Sequence, residues 1–91
     1  MSDTMYSPDF QHPDTGVPIW FVWSVTEELL WLEPCESLCQ QWEVSENEYQ
    51  ETVTLCKLWG EHTCRSAIEA NRIIQERYPD ILEDGVYFPE A

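Results

Sequence analysis

No lysine or arginine occurs between Met1 and Cys56. The chain's four basic residues are Lys57, Arg65, Arg72 and Arg77, set against 18 Asp and Glu for a net charge of −14. Affinity for phosphate comes from Lys and Arg, so DNA, RNA and anionic lipid surfaces are excluded as direct partners. Glycine is scarce as well: Gly16, Gly60 and Gly85 each stand alone. A loop that cradles phosphate needs clustered glycines, so nucleotide binding has no motif to rest on. The two histidines, His12 and His62, do not build a Ser–His–Asp set. The apolar run from Val17 to Val25 is too short to span a bilayer, and Met-Ser-Asp-Thr is acidic where a secretory signal is basic. The expected location is therefore cytoplasmic, with no membrane partner.

What the chain does have is apolar and aromatic content. It is 43% hydrophobic, with five Trp, four Tyr and three Phe in 91 residues. That suits one small folded domain and argues against wholesale disorder, even at this charge. The reading divides residues 1–91 into an irregular leader (1–18), a helical body (19–78) and a tail (79–91).

The leader carries Pro8, Pro13, Gly16 and Pro18, with turn chemistry at Asp14-Thr15-Gly16. Tyr6 and Phe10 are the residues suited to pin it to the body. Ile19-Trp-Phe-Val-Trp-Ser-Val25 is a short apolar run that periodicity alone leaves open between buried strand and buried helix. Ser24-Val-Thr-Glu27 has capping-box spacing, which favours a helix beginning near Ser24. Pro34 then opens a second helix through Trp42, with Cys35, Leu38, Cys39 and Trp42 on one stripe. Ser45-Glu-Asn-Glu48 is a cleaner capping box, starting a helix that runs to about Trp59 with Gly60 as its stop. A last helix is expected over Cys64–Tyr78, burying Ala67, Ala70, Asn71, Ile74 and Tyr78 and ended by Pro79. In the tail, Val86-Tyr-Phe88 is the segment suited to pack back on the body. The fold class expected is mostly α: a small bundle of three to four short helices, with room for a short N-terminal extended segment.

Cys35, Cys39, Cys56 and Cys64, together with His62, are the right elements for zinc, but no Cys-x2-Cys knuckle is present. Buried free thiols, disulfides and a four-thiolate site between helices all stay open, free thiols being favoured where there is no export signal. No cofactor is expected. Cys64 near His62 is the best placed nucleophile, yet negative surroundings raise a thiol's pKa and disfavour it. Exposed, solvated acids fit the carboxylates better than a hydrolase pair, which needs a cleft between its members. The chain is expected to be non-enzymatic.

The acids themselves point outward. Between Met1 and Cys56 there are eleven Asp and Glu, none with a basic neighbour in sequence. Glu46 and Glu48 also serve the helix start, where the positive end of the helix stabilises each by roughly 0.3–1 kcal/mol. The partner implied is a basic protein surface, most naturally that of a nucleic-acid-binding protein. The expected contact residues are Glu27, Glu28, Glu36, Glu43, Glu46, Glu48 and Glu51, with Trp31 as an exposed apolar anchor among them. In its sharpest form this is a DNA mimic of the kind phages and mobile elements use against CRISPR or restriction effectors. A second reading is an assembly factor or chaperone for a phage structural protein, gripping through a Trp-rich apolar face. A third is a small cysteine-based metal-binding protein. The oligomeric state is open.

Overall fold

The computed structural model of the chain describes residues 4–7, 9–79 and 88. Its centre is a strand, not a helix. β1 (Thr4–Tyr6), β2 (Phe10–Gln11), β3 (Pro18–Ser24), β4 (Leu29–Pro34) and β5 (His62–Thr63) form one five-stranded antiparallel sheet. Three helices accompany it: α1 (Glu36–Gln41), α2 (Glu46–Trp59) and α3 (Ala67–Arg77). This mixed α/β architecture overturns the expected helical bundle.

The correction has a local cause. Ile19 to Trp23 is β-branched and aromatic, a composition that suits a pleated surface with neighbours on both sides. β3 has those neighbours, pairing with β1 and β2 on one edge and with β4 on the other. Ser24 does accept a hydrogen bond from the Glu27 N–H, at 3.3 Å, as a capping residue would. Here the bond closes the turn between β3 and β4, whose register pairs Ser24 with Leu29 and Ile19 with Pro34. Glu28 ends that turn in the left-handed region at φ 57°, and the chain reverses instead of winding on.

The stretch expected as an irregular leader supplies β1 and β2. Both run along the same edge of β3, and the register advances by one residue between them: Tyr6 lies opposite Val22, Phe10 opposite Ile19. Ser7 bridges the two pieces, its N–H donating to Phe21 O at 3.0 Å and its Oγ accepting from Phe21 N–H at 2.7 Å. The following turn places Gly16 at φ 74°, and the Gly16 N–H donates to His12 O at 2.8 Å.

The later elements lie close to expectation. The Ser45 cap forms as read, its Oγ accepting from Glu48 N–H at 3.2 Å, while the Glu48 carboxylate reaches back to the Ser45 hydroxyl, which donates to Oε1 at 3.1 Å. α2 ends at Trp59, with Gly60 at φ 77° beyond it. α1 is shorter than expected, because Pro34 closes β4 and Cys35 is the N-cap. α3 begins at Ala67, where the Ser66 Oγ accepts from Glu69 N–H at 3.2 Å. Cys64, expected as the first helical residue, precedes that cap.

Alternation along β3 and β4 sorts the two faces. Ile19, Phe21, Trp23, Leu30 and Leu32 join Cys56, Ala70, Ile74, Tyr78 and Phe88 in one core, with Trp59 and Ala67 packed against it. Trp20 and Trp31 lie on the opposite face. The tail expectation rests mostly on residues outside those described. Its one described member, Phe88, is fully buried in the core. No described helix is long and apolar enough to cross a membrane.

Candidate binding cleft

Among the described residues β5 pairs with Leu29 and Leu30 alone. Among the described residues no strand pairs with the rest of β4 on that side, and α2 packs along it. Between them runs a cleft of about 600 Å³. Trp31 and Glu33 from β4 line it, together with Tyr6, Trp20 and, from α2, Tyr49 and Lys57. Glu36 and Glu61 stand on the same wall system.

The strand period puts Trp31 and Glu33 on one face, two residues apart, and the Trp31 indole N–H donates to Glu33 Oε2 at 3.2 Å. Trp20 is opposite Glu33 in register. The Tyr6 and Trp20 rings lie 4.3 Å apart at 37°. The field of the carboxylates is felt across the cleft. Burial first, then Glu36, Cys39 and Glu33, raise the Tyr49 hydroxyl's pKa. Burial and then Glu33 push the Cys56 thiol up to about 12.

The expected contact residues separate into three places. Glu27 and Glu28 sit exposed on the β3–β4 turn. Glu43, Glu46, Glu48 and Glu51 cluster, exposed, around the start of α2. These two groups lie at opposite ends of β4, a length of roughly 17–20 Å for six residues. Trp31 lies between them in the cleft wall, and Glu36 lines both that cleft and a second hollow shared with Glu46. Trp31 is half-buried, not the exposed helical anchor expected, because it belongs to a sheet face. The exposed tryptophan is Trp42, at 48%, although spacing puts it on the apolar stripe with Cys35, Leu38 and Cys39. Folding also compensates one acid: Arg65 Nε approaches Glu28 Oε2 at 3.5 Å, both side chains well exposed. It is the ion pair found among the described residues.

Tyr6, Trp20, Glu33, Tyr49 and Glu61 were not among the expected contacts. Leu-Leu-Trp-Leu-Glu-Pro at 29–34 held the signal: read with a period of two, it buries Leu30, Leu32 and Pro34 and turns Trp31 and Glu33 to the other side.

The four cysteines do not form one cluster among the described residues. All four are buried and free, and the described residues contain no group of three or more ligating side chains able to hold a metal ion. Cys39 Sγ faces Pro18 O at 3.8 Å and Cys64 Sγ faces Ser66 O at 3.3 Å. Burial raises the pKa of Cys39, Cys56 and Cys64, so each is held as the thiol. The His62 Nε2 is paired with the Tyr78 hydroxyl at 2.6 Å, not with Cys64. Two buried side-chain nitrogens, His12 Nε2 and Trp20 Nε1, have no hydrogen-bond partner among the described residues.

No protein-family model, curated protein or solved structure matches the chain.

Proposed function

We propose that this protein is a non-enzymatic binder of basic protein surfaces, and that it blocks the nucleic-acid groove of a DNA- or RNA-binding protein. Its carboxylates stand in for phosphates there. One observation carries the reading. Glu27, Glu28, Glu36, Glu43, Glu46, Glu48 and Glu51 are all exposed, and among the described residues Glu28 alone of these has a cation beside it. An uncompensated field of this sign steers a basic partner into contact and repels nucleic acid. The reading places the action in the cytoplasm, which suits four free thiols.

A salt series tests it. Partners are captured from cells that carry the gene, and the affinity of the isolated basic partner is then measured between low and high salt. Affinity is expected to fall by tenfold or more, on the order of what loss of several charge contacts entails. Duplex DNA competes. A triple Glu46→Gln, Glu48→Gln, Glu51→Gln variant loses about tenfold at low salt and converges with the parent at high salt. Affinity that is flat with salt overturns the reading.

A second reading, an assembly factor that grips through apolar surface, is favoured by exposed Trp42 and by the half-open aromatic face at Tyr6, Trp20 and Trp31. It requires salt-insensitive binding that depends on Trp42 or Trp31.

A further inference from the structure

The cleft beside β4 combines two properties that seldom coincide on a merely solvated acidic surface. It has aromatic walls, and its charged groups are predominantly acidic: Glu33, Glu36 and Glu61 against Lys57. We propose that it receives the guanidinium of an arginine side chain presented by the basic partner. This rests on the proposed function and narrows it to one side chain at one place.

The register supplies the geometry. Tyr6 lies opposite Val22, and Val22 opposite Trp31, so the three form a row across β1, β3 and β4. Adjacent strands stand about 4.8 Å apart, so the backbones at Tyr6 and Trp31 are about 10 Å apart. Val22 between them is buried, at 1% exposed. Trp20 and Glu33 form the next row. A cation in the cleft lies among Tyr6, Trp20 and Trp31, which line it, and rings attract a cation within about 6 Å of their centroids. Glu33 is already oriented, since the Trp31 indole N–H holds its Oε2 at 3.2 Å. Its other oxygen keeps its acceptor capacity for the guest.

Chemistry selects the guest. An anion meets three carboxylates. A purely apolar ligand would strip water from those carboxylates and give them no partner. A guanidinium is planar, stacks on aromatic rings, is weakly hydrated and pairs with carboxylates through two parallel N–H donors. An ammonium is a compact, strongly hydrated charge that gains less from the ring faces. Lys57 makes no ion pair among the described residues, so it leaves the cleft's carboxylates to a guest.

The test uses the full chain labelled with nitrogen-15, reading the indole N–H resonances of its five tryptophans, assigned through single Trp→Phe variants. The probes are acetyl-Gly-Arg-Gly-amide and its lysine and citrulline counterparts. The arginine probe is expected to shift the Trp20 and Trp31 signals saturably. Citrulline, equal in shape but uncharged, leaves them in place, and lysine binds about threefold more weakly. Glu33→Gln, which keeps an acceptor for the Trp31 N–H, weakens the arginine probe about fivefold to tenfold. Glu36→Gln, at an exposed position that does not endanger folding, weakens it about twofold to threefold. Equal shifts with citrulline, lysine binding as well as arginine, or shifts confined to Trp42 overturn the assignment. The partner itself separates the two levels. If Glu33→Gln leaves partner affinity unchanged while the triple α2 variant loses it, the cleft assignment falls and the proposed function stands. If neither variant loses affinity, both fall.

Discussion

Asn71 holds both backbone groups of Phe88 with one side chain. Its Nδ2 donates to Phe88 O at 2.7 Å and its Oδ1 accepts from Phe88 N–H at 3.0 Å, across 17 residues of sequence. The amide thereby imitates a strand partner, and the Phe88 ring enters the core edge-on to Trp23 at 5.9 Å. Asn71→Ala is expected to cost about 2–4 kcal/mol, since two backbone groups beside a fully buried residue lose their partners. Phe88→Ala is expected to cost about 3–5 kcal/mol through the cavity it leaves. Urea denaturation measures both. An Asn71→Ala loss below about 0.5 kcal/mol would show that the clamp is dispensable.

The two helix caps offer a cleaner comparison. Ser45 and Ser66 each accept from the third residue of their helix at 3.2 Å. Ser45→Ala and Ser66→Ala are each expected to lower stability by about 1 kcal/mol, and glycine at either site by only a few tenths. Ser24 makes the same local bond at 3.3 Å in a hairpin turn. Its replacement by alanine should reduce stability without lowering the helical signal in circular dichroism.

Stability is expected to fall as pH drops below about 6.5. His12 is 2% exposed, stacked 4.9 Å from Trp59, and its Nδ1 accepts from Asp14 N–H at 3.0 Å. A second proton must take that acceptor away. Burial lowers the His12 pKa below 6.5, against the opposing pull of Asp14 and Glu51. Burial and Arg77 lower that of His62. With both folded values depressed, the unfolded chain binds more protons, so stability is complete above about pH 6.5 and is lost as pH falls toward the folded values. His12→Asn, which retains an acceptor near the Nδ1 position, should be less stable at pH 7 but lose less between pH 7 and 5. Urea midpoints across that range decide it.

The thiols should be silent in the native protein. Cys35, Cys39, Cys56 and Cys64 are each 5% exposed or less, and Cys56 is raised to about 12. A disulfide reagent is expected to react with none of them at neutral pH and with four after denaturant is added. Fast reaction of any native thiol, or fewer than four in the denatured chain, would contradict the buried free state.

Several features were legible before folding is considered. The charge asymmetry is a property of composition. The Ser45 cap, the Gly60 stop and the buried face of α3 at Ala70 and Ile74 follow from local chemistry and from a period of 3.6, because a helix is made of contacts between near neighbours. Ser66-Ala-Ile-Glu69 carried the same box spacing and marks the true start of α3.

The rest was decided by distant partners. Ser24-Val-Thr-Glu27 makes one hydrogen bond whether it opens a helix or closes a hairpin, so local chemistry cannot choose. Ile19–Val25 is apolar at nearly every position, which erases the period that separates the two states. Pairing with Thr4–Tyr6 and Leu29–Pro34 chose the strand. That choice made the cleft, by setting Trp31 and Glu33 on one face and α2 beside them. It also brought Arg65 to Glu28, 37 residues apart in the chain. The sequence by itself determined that this protein's surface is acidic and where two of its helices begin or end. Only the tertiary structure decided which carboxylates stand beside aromatic rings, because strand pairing joins residues that no local interaction relates.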